Sequence, residues 1–174
     1  IKTADIDLFA GGVVFGLQNE SSAHTDSARL VAQRYNALAV SGMVTNFGGG
    51  NDYVQYGNVY CYDNGGIMGG DMVVDSGSFK VYIYGDVYVE GDLYITTGAE
   101  FHVYGNLFVN GTITGTPTMH EDTKRTAAGQ STGKIYNNGY GGAQPLSSGV
   151  FTSVKSARGA TPTLEYEGTE YIYH

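Results

Sequence analysis

A strict two-residue alternation runs from Phe79 to Gly115. Every odd-numbered position in this stretch is apolar, glycine or threonine, and the even-numbered positions are mostly Tyr, Asp, Glu, Asn and Thr. Because successive side chains of a strand point to opposite faces, a period of two indicates strands with one buried face. Strands usually end after about 5–6 residues. The chain must therefore bend repeatedly here without exchanging its inner and outer faces.

A short motif recurs within and before this alternation. It consists of glycine, usually Asp or Asn, an apolar residue, an outward residue and a second apolar residue. Copies begin at Gly57, Gly70, Gly85, Gly91, Gly105 and Gly111, with looser copies at Gly77 and Ala99. From Gly77 to Gly105 a longer interval between starts alternates with a shorter one, which favours a 14-residue unit. A glycine at each start is typical of a corner that needs a positive φ.

A 14-residue shift places like residues on like residues, as a solenoid requires when each coil covers the next. Leu93 then falls on Leu107, and Val87 on Phe101. We therefore expect an all-β fold, a β-solenoid or β-helix with glycine-cornered coils of about 14 residues and one N-terminal helix as a cap. An antiparallel β-sandwich or meander is the alternative, and a trimeric β-helix in which three chains share one core also stays open.

The composition divides the chain into three segments. Residues 1–50 are expected to form a cap or assembly segment, with a buried strand pair in the apolar run 8–17 and one helix from Thr25 or Asp26 to about Val40. Residues 51–116 hold the repeats. Residues 117–174 are expected to form polar loops and a C-terminal β-hairpin about Glu167-Gly168. The start at Ile1 is typical of a processed product, a fragment or a chain without its leader.

Composition and charge exclude several classes of partner. The chain has 27 Gly, 15 Tyr, 15% charged residues and a formal net charge of −8. Nucleic-acid binding needs clustered Lys and Arg, so we expect no nucleic-acid partner. No apolar stretch approaches the length of about 20 residues that a transmembrane helix needs, so we expect no membrane span. The single cysteine, Cys61, lies at an inward position of its repeat and is expected to be buried.

The sequence contains no nucleophile elbow, phosphate loop, dinucleotide fingerprint or zinc-ligand pattern. We therefore expect no enzyme activity, no cofactor and no metal site. His120-Glu121-Asp122 has ligand-type side chains but no second histidine nearby in the sequence. Asn19-Glu20-Ser21 and Asn110-Gly111-Thr112 match the N-glycosylation acceptor pattern, which is short enough to occur by chance.

Outward aromatic residues of the repeats form the candidate binding surface. Aromatic rows bind sugar rings, but outward Tyr and Phe are also good strand formers that stack in ladders for structural reasons. The candidate glycan platform consists of Tyr88, Tyr94, His102, Tyr104 and Phe108.

Carboxylates accompany these aromatic residues. The 14-residue shift places Asp86 on Glu100 and Asp92 on Asn106. Paired carboxylates hydrolyse glycosides or bind Ca²⁺, which makes Asp86, Asp92 and Glu100 weak calcium candidates. Asp or Asn after a glycine also accepts hydrogen bonds from corner N–H groups, and this structural role needs no ligand.

The repeated Gly-Asp-Val/Leu-Tyr-Val/Ile run resembles the β-solenoid repeats of polymer-forming bactofilins and the β-helical segments of phage tail fibres and spikes. The resemblance covers roughly residues 57–116 and implies a structural building block. We expect a self-assembling homo-oligomer or filament at the cell surface, outside the cell or on a virion, with a glycan-binding adhesin as the alternative and a polysaccharide-processing enzyme third. The expected assembly contacts are Phe9, Val13, Val14, Phe15, Tyr171, Ile172 and Tyr173.

Overall fold

The structure is a computed structural model and describes residues 2–5, 7–15, 43–45, 52–65, 68–74, 80–157, 163–167 and 170–173. These residues form mostly short strands and two short helices, α1 (Thr123–Ala127) and α2 (Val150–Ala157). The strands in chain order are β1 (Lys2–Asp5), β2 (Asp7–Ala10), β3 (Val13–Phe15), β4 (Met43–Thr45), β5 (Tyr53–Tyr56), β6 (Val59–Cys61), β7 (Met72–Val74), β8 (Val81–Tyr84), β9 (Val87–Val89), β10 (Leu93–Ile95), β11 (Phe101–Tyr104), β12 (Leu107–Val109), β13 (Ile113–Thr114), β14 (Thr118–His120), β15 (Ile135–Tyr136), β16 (Thr163–Glu167) and β17 (Glu170–Tyr173).

Three sheets contain these strands, and consecutive strands usually belong to different sheets. Sheet I has the order β1-β5-β8-β11-β14, sheet II the order β15-β12-β9-β6-β2-β16-β17, and sheet III the order β13-β10-β7-β3-β4. Every described pair is parallel except β16–β17. The all-β prediction is confirmed, and the antiparallel sandwich or meander is wrong for these strands.

The period of two correctly predicts the inner face of the repeats. Val81, Ile83, Val87, Val89 and Leu93 are all fully buried, and the residues between them are more exposed. Inward residues of all three sheets join in one apolar cluster. Burial of these branched side chains is the main favourable term for short strands that have little stability of their own.

The predicted 14-residue pairing is wrong. Strands β8, β9 and β10 pair with β11, β12 and β13 at a 20-residue spacing, and β5 and β6 pair with β8 and β9 at a 28-residue spacing. Val81 lies beside Phe101, and Val87 beside Leu107. The chain visits sheets I, II and III before it returns to sheet I, so three motif intervals separate paired strands instead of two. The pairing of Leu93 with Leu107 is absent, and Leu93 pairs instead with Ile113 and Met72.

The corner glycines are required mainly by close approach of neighbouring backbones. Gly57 has a φ of +123°, as a corner glycine was expected to have. At Gly85, however, an added Cβ would overlap the carbonyl oxygen of Gly57, and at Gly111 it would overlap the Asp92 carboxylate and the carbonyl oxygen of Gly91. Only glycine, which has no side chain, fits where the backbones of two neighbouring corners are in contact.

Asp and Asn side chains connect successive corners, as the structural interpretation predicted. Between sheets I and II, Oδ1 of Asn58 accepts a hydrogen bond from the Asp86 N–H, and Oδ1 of Asp86 accepts one from the Asn106 N–H, both at 2.8 Å. Asn106 Oδ1 accepts in turn from the Lys134 N–H at 3.0 Å. These bonds satisfy backbone donors that the bends leave outside the sheets.

The C-terminal segment returns to the first strands of the chain. Helix α2 packs on the outer face of sheet II, and β16 then pairs in parallel with β2, Leu164 beside Leu8. The expected C-terminal hairpin is confirmed as the antiparallel pair β16–β17. Residues 8–15 contain two buried strands, β2 and β3, but these belong to different sheets and do not pair with each other, so the expected strand pair is wrong. The helix expected from Thr25 or Asp26 to Val40 lies outside the described residues.

Candidate functional site

An open aromatic column lies on the outer face of sheet I. Tyr56, Tyr84, Tyr104 and His120 stack on one another with ring centroids 5.3, 4.5 and 4.2 Å apart. They are neighbours because each occupies the last position of its strand in register. Tyr84 is 41% exposed, and burial together with the neighbouring tyrosines raises its pKa.

A polar network borders the open aromatic column. Nδ1 of His102 lies 2.9 Å from Nε2 of His120, and Nε2 of His102 lies 3.1 Å from Oε1 of Glu100. Lys80 Nζ lies 3.6 Å from Glu100 Oε2. The hydrogen bond from His102 is the largest cause that lowers the pKa of Glu100. Burial, and then the charge of His102, lower the pKa of His120.

A second aromatic column, on the outer face of sheet II, is partly covered by α2. Its members stack with centroids 4.4 to 4.9 Å apart, in the order Phe9, Tyr60, Tyr88, Phe108 and Tyr136. Phe151 of α2 meets Tyr88 edge-on at 6.5 Å, and Val154 of α2 is buried in the same cluster. Burial is the largest cause that raises the pKa of Tyr88. Phe9 and Tyr60 are buried in this contact, whereas Tyr88, Phe108 and Tyr136 are partly exposed.

The structure distributes the predicted glycan platform over three faces. His102 and Tyr104 lie on sheet I, Tyr88 and Phe108 on sheet II beneath α2, and Tyr94 on sheet III. Within a column each interior ring has a neighbour on both faces, so only ring edges and hydroxyl groups point outward. A sugar that stacks on an aromatic ring needs an open ring face. The platform stays a prediction, and these two columns offer it only at their ends.

The three calcium candidates are not brought together. Asp86 forms an ion pair with Arg125 at 2.7 Å in addition to its corner hydrogen bond. Asp92 accepts from the Thr112 N–H at 2.8 Å, and Glu100 belongs to the network beside the open aromatic column. The pairing of Asp86 with Glu100 depended on the 14-residue shift and is wrong, because Asp86 stands between Asn58 and Asn106.

Some of the expected assembly residues are buried, and the others belong to an edge strand. Phe9, Val13, Val14 and Phe15 are 0% exposed, so a contact with another subunit through these side chains would first have to uncover them. Tyr171, Ile172 and Tyr173 belong to β17, the outermost described strand of sheet II. Cys61, predicted to be buried, is fully buried, and its thiol donates to the carbonyl oxygens of Gly70 and Asp71 at 3.1 Å.

A polar cleft lies where the last motif copy meets the C-terminal loops. It has a volume of about 490 Å³ and was not anticipated from the sequence, because its two walls are distant in the chain. The lining residues are Asn110, Gly111, Thr112, Ile113, Asn137, Asn138, Gly139, Tyr140 and Gly141. The glycine- and asparagine-rich stretch 136–142 was the signal that could have indicated one wall.

In the described ranges, no three His, Cys, Asp or Glu side chains are grouped so that they could hold a metal ion. None of the helices within those ranges is both long and apolar enough to cross a membrane. Comparison with protein-family models, curated proteins and solved structures finds no match to this chain. A functional proposal therefore depends on the geometry of the fold and its surfaces.

Proposed function

We propose that the protein is a structural, self-assembling subunit of an extracellular filament, surface layer or phage fibre, built as a three-sided β-solenoid. The observation that carries the proposal is the repeated three-strand row. Strands β5, β6 and β7, then β8, β9 and β10, then β11, β12 and β13 each supply one strand to sheets I, II and III in the same order. A rod of stacked rows is a quasi-one-dimensional scaffold.

The contents of the rod support a structural role over a catalytic one. The interior is filled by apolar residues of all three sheets, the corner carboxylates are engaged with backbone N–H groups, and one aromatic column is partly covered by α2. These groups stabilise the fold itself. Stacked rows with aromatic ladders and few charges are typical of durable assemblies.

Subunits are proposed to join through the backbone of edge strands. Within the described residues, β1, β4 and β17 are each paired on one side only, and all three lie at the same end of their sheets. An edge strand offers a row of N–H and C=O groups to another chain. Pairing of β17 with another β17 gives a closed dimer, and pairing with the opposite end gives an open filament.

The opposite end of the sheets is partly covered by the chain itself. Met119, Ile135 and Tyr140 pack against the apolar cluster there, and Gln144 bridges to Tyr136 of β15. We therefore place the first contact between subunits at the β17 end. The resemblance of residues 57–116 to bactofilins and phage fibres is in keeping with a location at the cell surface, outside the cell or on a virion.

Electron microscopy of the purified protein over a concentration series, with mass measured in parallel, tests the proposal. We expect filaments, sheets or closed oligomers that grow with concentration. A single-chain mass at every concentration would overturn the proposal. Mass also distinguishes the two pairing modes, since a closed dimer stops at two chains and a filament does not.

Two proline substitutions test whether β17 makes the contact. Successive N–H groups of a strand point to opposite sides, so of Tyr171 and Ile172 one donates toward β16 and the other points outward. Proline removes the donor. We expect one of Tyr171→Pro and Ile172→Pro to weaken assembly without lowering the melting temperature, and the other to loosen the hairpin. Unchanged assembly in both variants would exclude the edge of β17 as the contact between subunits.

A further inference from the structure

The polar cleft formed by residues 110–113 and 137–141 has the properties of a ligand site that the structural role does not use. Its volume of about 490 Å³ lies within the range of small-molecule sites, about 300–1,000 Å³. Its floor consists of Ile113, 9% exposed, and Asn137, 6% exposed. Its rim carries the exposed residues Asn110, Thr112 and Asn138. The site thus combines an ordered floor with accessible polar groups.

Asn137 holds the two walls in a fixed relation. Its side-chain amide donates to the carbonyl oxygens of Val109 and Gly111, both at 2.8 Å. Its Oδ1 accepts from the backbone N–H groups of Gly139 at 2.9 Å and Tyr140 at 2.8 Å. One buried side chain therefore ties the 137–141 loop to the end of β12. A site organised before binding loses less entropy when a ligand enters.

The lining of the cleft combines polar and apolar surface and carries no charge. None of its nine lining residues is Asp, Glu, Lys, Arg or His, although the chain as a whole has a net charge of −8. In the described part of the chain, the Asn110 amide and the Thr112 hydroxyl have no hydrogen-bond partner. Amides and hydroxyls without charge recognise hydroxyl-rich neutral ligands, whereas phosphate, carboxylate and metal ligands select charged sites.

Tyr140 supplies the aromatic surface that the two columns lack. Its ring packs against the edge of the apolar cluster and is only partly buried. Its hydroxyl donates to the Gly115 carbonyl oxygen at 3.4 Å, and no other described ring stacks on it. A sugar presents C–H groups to an aromatic face and hydroxyl groups to its sides. The partly buried Tyr140 ring suits the C–H groups of a sugar, and Asn110, Thr112 and Asn138 suit its hydroxyl groups.

We propose that this cleft binds a neutral oligosaccharide, with Tyr140 as the stacking surface and Asn110, Thr112 and Asn138 as hydrogen-bonding groups. The site lies at the opposite end of the sheets from β17. Two subunits joined by β17–β17 pairing would both still present this cleft. In a filament in which β17 pairs with the opposite end of the next subunit, the neighbour would approach the cleft, and only the terminal subunit would present it freely.

The test is saturation-transfer NMR with neutral gluco-, manno-, galacto- and xylo-oligosaccharides, using protein produced in a host that does not glycosylate Asn110. We expect saturable binding of at least one series. Tyr140→Ala should weaken it about tenfold or more, which corresponds to about 1.4 kcal/mol, and Tyr140→Phe should retain it. Tyr104→Ala, in the open aromatic column, is the matched control and should leave binding unchanged.

Thr112→Arg keeps the test informative if Tyr140→Ala does not fold. Thr112 is exposed, so a long side chain there fills the cleft without disturbing the core, and binding should be lost. No binding of any neutral series, or binding that survives both Tyr140→Ala and Thr112→Arg, would overturn the proposal. So would a loss of binding in Tyr104→Ala with Tyr140→Ala unaffected, because the ligand would then lie on sheet I.

Discussion

At the scale of single residues, the role of the corner Asp and Asn side chains was predictable from the sequence, and the role of the corner glycines was predictable only in part. An Asp or Asn after glycine was expected to satisfy backbone N–H groups, and Asp86 and Asp92 do so. The reason for the glycines themselves was only partly predictable. A positive φ is a property of one residue, but the close approach of Gly85 to Gly57 depends on which rows are neighbours, and that requires the correct repeat length.

Gly111→Ala should destabilise the fold. The new Cβ would overlap the backbone of Gly91 and the carboxylate of Asp92, and overpacking of this kind costs about 1–3 kcal/mol. Chemical denaturation measures the loss. Gly141→Ala is the matched control, because a Cβ there meets nothing within 4 Å, and it should leave the free energy of unfolding nearly unchanged. Equal effects of the two substitutions would contradict the close approach.

His120 makes stability depend on pH. Its pKa is lowered in the folded protein by burial and by His102, so the folded state favours the neutral ring. The resulting stabilisation is present above the unfolded pKa of about 6.5 and is lost as pH falls through that value toward the lowered one. The groups that face the ring are His102 and Tyr104, with Glu100 and Lys80 beyond His102.

Melting temperatures at about pH 7.5 and about pH 5 measure this dependence. We expect the unchanged protein to lose more stability over the interval than His120→Gln, which does not titrate. Glu100 contributes little over this interval, because its pKa is lowered below its usual value and it stays ionised. An equal loss in both proteins would show that His120 is not the group responsible.

At the scale of elements, the strands of the repeats were predictable, and the described helices α1 and α2 were not. The alternation correctly assigns the inner and outer positions of β8 to β13, because a buried face imposes the period directly. Helix α2 begins in a stretch rich in glycine and serine that was expected to form loops. The sequence feature that indicates α2 is the three-residue spacing of Phe151 and Val154, which places both on one helix face. The surface that buries this face is the aromatic column of sheet II, and that column is assembled from strands distant in the chain.

Phe151→Ala should release α2 from sheet II. The side chain is 8% exposed and packs on Tyr88, and removing a buried phenylalanine costs about 3–5 kcal/mol. Amide hydrogen exchange should show faster exchange throughout α2 and little change in β8 to β12. The neighbouring variant Thr152→Ala, at an exposed position, should exchange like the unchanged protein. Loss of protection in all strands would mean that α2 is part of the cooperative core.

At the scale of the whole molecule, the repeat length decides the architecture, and the predicted length was wrong. Tyr84-Gly85-Asp86 returns as Tyr104-Gly105-Asn106, and this 20-residue spacing is the one at which β8 and β9 pair with β11 and β12. The alternating intervals between motif starts suggested a shorter unit because every motif copy looks alike regardless of its sheet. The candidate platform and the calcium candidates depended on that choice, and so their members are dispersed.

Removal of one complete row tests the repeat. Deletion of residues 81–100 should let β11 pair with β5, β12 with β6 and β13 with β7, since each strand is replaced by its counterpart. We expect a folded protein with a cooperative transition and a smaller dependence of stability on denaturant, because less surface is exposed on unfolding. Circular dichroism and urea denaturation measure both properties.

Deletion of residues 87–100 is the matched control. It removes one unit of the 14-residue length, including β9 and β10, but it keeps β8, so two strands of sheet I, β8 and β11, would follow one another and the order in which the chain visits the three sheets is broken. This variant should aggregate or unfold without a cooperative transition. If it folds and the longer deletion does not, then the 20-residue row is not the unit of this fold.

The pairing of β2 with β16 has a consequence for the time course of synthesis. Leu8 pairs with Leu164, so the edge of β2 that binds β16 stays unpaired until β16 is synthesised about 150 residues later. At ordinary rates of translation this delay is roughly 8–30 s. During that delay, the edge is open to the β16 of a neighbouring nascent chain. Ribosomes that follow one another on a message would then favour exchanged pairs, and the spacing of ribosomes would influence how many chains finish joined.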